Sequence, residues 1–128
     1  MLKNRIFVLL MIVIAGLVML RPALVAAEHA GSKVIGAEER MVKTAAQEYI
    51  QTQVEKLGSV EVADARLGKT WKLKFDYFHT VNQLDNGDYF FCADFTQDKD
   101  RLDLDFTLSG EDLAVNKLVI HKVNGAAR

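Results

Sequence analysis

One cysteine in 128 residues, Cys92, rules out an internal disulfide whatever the compartment. The core alone must hold the fold. Cys92 also lies far from the N-terminal apolar segment, so the chain lacks the cysteine that lipid attachment at a bacterial signal-cleavage site requires. No lysine- or arginine-rich cluster is present beyond residue 27, which removes the footprint of a polybasic membrane patch or a nucleic-acid site. No glycine-rich phosphate loop, Ser-His-Asp ordering, haem-attachment pair, internal repeat or low-complexity tract occurs. Asp98-Lys-Asp100-Arg-Leu-Asp103 is not a calcium loop, because Leu102 fills the third ligand position and the required glycine and glutamate are missing. No motif demands a cofactor.

The first 27 residues read as a secretory signal. Lys3 and Arg5 precede an apolar run from Ile6 to Leu20, followed by Arg21-Pro22 and the small-residue stretch Val25-Ala26-Ala27. As a helix the run spans about 22 Å, short of the ~30 Å hydrocarbon core. Cleavage after Ala27 is the first expectation, placing the protein in the periplasm or outside the cell. The alternative is an uncleaved anchor with the domain outside the cytoplasm. Beyond Ala27, thirteen basic residues face seventeen acidic ones, a net charge near −4. An acidic exported protein has little to offer nucleic acid.

Residues 28–37 mix small and polar types without periodicity and read as a tether. From Glu38 to Leu57, Met41, Ala45, Ala46 or Tyr49, Ile50, Val54 and Leu57 recur at three- and four-residue steps, predicting an amphipathic helix. Glu38 and Glu39 at its start, Lys56 at its end and Gly58 beyond suit both the macrodipole and a left-handed cap. The period then becomes two. Strands are expected at Val60–Val62, Trp71–Tyr77, Asp88–Thr96, Arg101–Leu108 and near Leu118–Val123. One helix and a curved meander of four to five antiparallel strands define a single α+β domain over residues 38–128.

The Asp85-Asn86-Gly87 turn sets the pairing register. A two-residue loop would bring His79 opposite Asp94 but expel Phe91 and Phe95 from the core, forfeiting ~1.5–3 kcal/mol each. A three-residue loop with Gly87 in the left-handed position pairs Leu84 with Asp88 and Tyr77 with Phe95. Trp71, Leu73, Phe75, Tyr77, Tyr89, Phe91, Ala93 and Phe95 then share the core face. Phe78, Phe90, Cys92 and Asp94 occupy the other, with His79 and Cys92 on opposite faces. Pairing of the next strand sets Asp94 against Asp103 and Cys92 against Asp105. His121 reaches Asp105 in one of two registers open to the last strand.

Helix-then-meander order is similar to the cystatin-like architecture. Asp88-Tyr-Phe-Phe-Cys-Ala-Asp-Phe95, Leu102-Asp-Leu-Asp-Phe106 and Ile120-His-Lys-Val-Asn-Gly125 resemble segments of small exported bacterial proteins without assigned function. The resemblance transfers no catalytic residue. Nor does it imply protease inhibition, since Gln51-Thr-Gln-Val-Glu55 falls in the predicted helix and lacks the glycine of the inhibitors' Gln-x-Val-x-Gly hairpin.

The expected working surface is the outer sheet face: Phe78, Phe90, Cys92, Asp94, Asp103, Asp105 and His121. Negative neighbours disfavour a thiolate at Cys92, so no catalytic role is assigned to it. Neither His79 nor His121 sits in metal-ligand spacing, and no metal ligand is assigned. The first functional expectation is a non-enzymatic exported binding or assembly module whose partner is another envelope protein or a second copy. The alternatives are a small-ligand or divalent-metal domain with hydrolysis open to it, and a structural envelope protein held by its N-terminal helix. On the bland reading, Lys72, Lys74, Arg101 and Lys122 neutralise the carboxylates of a solvated face.

Overall fold

A computed structural model describes residues 31–128; the expected signal and the start of the tether lie outside the described residues. The elements are β1 (Ser32–Lys33), α1 (Gly36–Leu57), β2 (Val60–Asp64), β3 (Lys69–Phe78), β4 (Asn82–Gln83), β5 (Tyr89–Gln97), β6 (Asp100–Leu108), β7 (Val115–Val123) and β8 (Ala126–Ala127). All pairings are antiparallel and join the strands into one curled sheet, a half-barrel around the helix. The domain is α+β.

The sheet has eight strands rather than four or five. Five long ones form the meander β2-β3-β5-β6-β7, and β1, β4 and β8 add two residues each at its margins. Two-residue strands carry no readable alternation, which is why the sequence pattern passes over them. The expected tether is corrected in the same region. Ser32 and Lys33 pair with Gln83 and Asn82, Val34 is buried in the core, and the helix starts at Gly36 rather than Glu38.

Helix α1 ends as its charges and glycine predict, with Gly58 at φ 82° donating its N–H to the Val54 carbonyl. Its buried stripe is Val42, Ala46 and Ile50, with Ala45 and Tyr49 beside it. Met41, Val54 and Leu57, expected on that stripe, are exposed. Tyr89 donates a 2.6 Å hydrogen bond to Glu38, tying the first helical turn to β5.

The core gathers this stripe with Trp71, Leu73, Phe91, Phe95, Leu102, Leu104, Phe106 and Leu108. Phe91 and Phe106 stack at 5.2 Å, and Tyr49 meets Phe106 edge-on at 6.4 Å. Beyond the helix, the half-barrel is fastened where β2 approaches β7. Asp64, 5% exposed, accepts from the Arg66 and Leu67 amides and from Trp71 Nε1, and it pairs with Arg128 at 3.0 Å. The Trp71 hydrogen bond above all holds its carboxyl below the usual carboxylate range.

The Asp85-Asn86-Gly87 loop closes as a three-residue turn: Leu84 N–H donates to Asp88 O at 2.8 Å, and Gly87 takes φ 90°. The β5–β6 register is the expected one throughout. In β3 the expectation fails at a bulge. Phe75 pairs with Phe95, but Tyr77 pairs with Asp94 instead of Phe95, leaving Asp76 as the extra residue. The extra residue reverses the faces from Tyr77 to His79, and the expected pairing resumes at Asn82 with Phe90. Phe78 therefore turns inward, 4.4 Å from Phe75 and 5.5 Å from Phe91, while Tyr77 turns out.

Candidate functional site

The bulge in β3 reorganises the outer sheet face, the side opposite the helix. Phe78 is removed from it, because its ring packs on Phe75, Phe91 and Phe106 in the core. His79 is brought to it, on the same side as Cys92 rather than opposite. His79 Nε2 lies 2.9 Å from Asp94 Oδ1, and its Nδ1 lies 3.1 Å from the Tyr77 hydroxyl.

The remaining expected residues converge there. Asp94 faces Asp103, and Cys92 faces Asp105, across the β5–β6 ladder. Cys92 Sγ donates to Asp105 Oδ1 at 3.1 Å. The third strand contributes through a second irregularity: Lys122 pairs with Asp103 and Ile120 with Leu104, leaving His121 as the extra residue. It swings onto the outer face. His121 Nδ1 comes within 3.2 Å of Asp105 Oδ1 and 3.6 Å of Asp103 Oδ2. His121 reaches Asp105 as expected, through a bulge at which the pairing register shifts by one residue.

The carboxylates are mostly covered, with side-chain exposures of 16% for Asp94, 20% for Asp103 and 19% for Asp105. Burial raises the Asp103 carboxyl above its usual range; the negative charges of Asp105 and Asp94 add to this, against the pull of His121 and His79. Asp103 Oδ1 is shielded from water and receives no hydrogen bond among the described residues. The permanent counter-charge is Arg101, whose Nε is 3.6 Å from Asp94 and whose guanidinium also holds Asp76. Lys72 and Lys74 make no ion pair among the described residues.

Burial first, then the hydrogen bond and charge of Asp105, push the Cys92 thiol far above its ordinary range. It is a protonated donor and a poor nucleophile. His79 bridges the Asp94 carboxylate and the Tyr77 hydroxyl through its two ring nitrogens.

Phe90 remains on the outer face but is only 7% exposed. Together with Leu84, Asp105, Thr107, Lys117 and Val119 it lines a cavity of about 240 Å³ that opens beside the carboxylates. Nothing in the sequence marks Leu84, Thr107, Lys117 and Val119 as lining residues. Alternation does not say which outward residues border a cavity.

Fold and site together define a class: a small α+β half-barrel whose outer face gathers carboxylates, two histidines and a thiol. Compared with known proteins, the chain matches no family model, no curated protein and no solved structure.

Proposed function

We propose that this is an exported, non-enzymatic binding module of cystatin-like architecture that takes a positively charged ligand on its outer sheet face. One observation carries the reading. Three carboxylates, two of them directly opposite each other, are packed at low exposure on a face that no helix covers among the described residues. Opposed like charges on a sheet cost roughly 0.2–1 kcal/mol, and burial of charge adds to this. Sequences retain locally unfavourable arrangements mainly where function requires them. A cation entering the cluster supplies the charge that the resident His79, His121 and Arg101 offset only in part.

The assembly reading loses its main support with Phe78, since one of the two aromatics expected to form an interface belongs to the core.

The test is a thermal-melting screen of the purified protein against zinc, magnesium, spermidine and citrate. Binding to the native state raises the melting temperature in proportion to RT ln(1 + [L]/Kd). A cation is expected to raise it, and Asp103→Asn to remove most of the rise. Stabilisation by citrate alone, or a cation effect unchanged in Asp103→Asn, overturns the reading.

A further inference from the structure

The cationic-ligand reading leaves the ligand open, and the donor atoms narrow it. Four side chains of different chemistry meet on three adjacent strands: Cys92 on β5, Asp103 and Asp105 on β6, and His121 on β7. One potential ligand atom from each lies within 4.8 Å of all the others. We propose that Cys92, Asp103, Asp105 and His121 form a four-coordinate site for a borderline divalent transition-metal ion, zinc being the best match. The proposal rests on the cationic-ligand reading and deepens it.

Donor spacing carries the argument. A tetrahedral ion with ligands at ~2.0–2.3 Å sets its donors ~3.3–3.8 Å apart. Three edges already stand near that length: Cys92 Sγ to Asp105 Oδ1 at 3.1 Å, His121 Nδ1 to Asp105 Oδ1 at 3.2 Å, and His121 Nδ1 to Asp103 Oδ2 at 3.6 Å. The other three edges lie within 4.8 Å. The backbone fixes the frame: Cys92 and Asp105 are ladder partners, Asp103 lies two residues along on the same face, and the bulge at His121 turns its ring toward both carboxylates. Sites built on paired strands hold geometry better than sites on loops.

The second observation is Asp103 Oδ1, shielded from water without a hydrogen bond. A covered carboxylate with one oxygen lacking any donor is short of partners in the ligand-free protein, whichever of its oxygens meets the cation.

Donor type selects the metal. Calcium and magnesium take oxygen ligands almost exclusively, whereas one sulfur, one imidazole nitrogen and two carboxylate oxygens suit zinc, with cobalt as its spectroscopic substitute. As the metal–sulfur bond forms, the Cys92 S–H bond breaks and its proton leaves to solvent, with no change in oxidation state. Four protein ligands fill a tetrahedral shell and leave no position for an activated water. The site therefore holds an ion rather than hydrolysing a substrate.

The test is a titration of untagged, reduced protein with zinc by calorimetry and with cobalt by absorption. One ion per chain is expected, with a near-ultraviolet sulfur-to-cobalt charge-transfer band. That band comes from the wild-type protein and does not depend on any variant folding. Cys92→Ser and His121→Ala are each expected to weaken zinc binding by more than about 100-fold, and Cys92→Ser to abolish the band. Cobalt binding without the band, zinc binding unchanged in Cys92→Ser, or no zinc binding overturns the site. If spermidine still stabilises the protein through Asp103 while zinc does not bind, the metal site falls and the cationic-ligand reading stands. If neither binds, both fall.

Discussion

Asp103 faces Asp94 across the β5–β6 ladder and lies two residues from Asp105 on the same face of β6. Its charge is mostly covered, and one of its oxygens has no donor. In the ligand-free protein such a residue subtracts from stability, since repulsion and desolvation outweigh the attraction of His121 and His79. Replacing it with asparagine keeps the shape, removes the charge and supplies a donor. Asp103→Asn is therefore expected to raise the melting temperature of the metal-free protein at neutral pH by a few degrees, the equivalent of roughly 0.2–1 kcal/mol. The same change should cost zinc affinity. A variant both more stable and unable to bind separates a binding residue from a structural one, because loss of a structural ion pair would lower stability. Calorimetric melting with and without zinc reads both effects.

The elements show why the outer face was only partly legible. Alternation in Arg101–Leu108 and the Gly87 turn are local signals, and together they place Asp94 opposite Asp103 and Cys92 opposite Asp105 correctly. Bulges leave no such signal. At Asp76 the chain trades one ladder position for the burial of Phe78, and strict alternation read through Tyr77 assigns Tyr77, Phe78 and His79 to the wrong face, until the expected pairing resumes at Asn82. Alternation thus puts His79 away from Cys92 and Phe78 on the outer face, whereas the bulge sets His79 beside Asp94 and Phe78 against Phe91. The bulge at His121 belongs to the same class: the pairing shifts by one residue across it, and alternation alone does not mark where. The two positions behave differently under truncation. Phe78→Ala, which empties a site between Phe75, Phe91 and Phe106, is expected to cost about 3 kcal/mol, the low end for phenylalanine truncation in cores. Tyr77→Ala, at a residue 49% exposed, should cost far less. Urea denaturation of the two variants measures the difference, and equal losses would contradict the inward turn of Phe78.

At the scale of the whole molecule, the order of elements and the acidic balance were readable because both are sums over many residues, and errors at single positions do not disturb them. The compartment is a different kind of statement, resting on Lys3, Arg5, the Ile6–Leu20 run and Val25-Ala26-Ala27. The fold adds a distance to it. Strand β1 begins at Ser32, so only Glu28 to Gly31 separate the expected cleavage point from the first paired residue, a reach of at most about 14 Å. An uncleaved apolar segment would hold the half-barrel against the bilayer, with β1 and β4 nearest to it. Cleavage after Ala27 would release an acidic domain that carries no basic patch to keep it there. Among the described residues, no helix is long and apolar enough to cross a membrane, which leaves the N-terminal segment as the part to test. If Lys3 to Ala27 act as a cleaved signal, as we propose, the mature chain is expected to begin at Glu28 and to fractionate away from membranes at ordinary ionic strength. Terminal sequencing with intact mass on the membrane and soluble fractions decides the point: a chain that retains Met1 and pellets with membranes would make this an anchored protein.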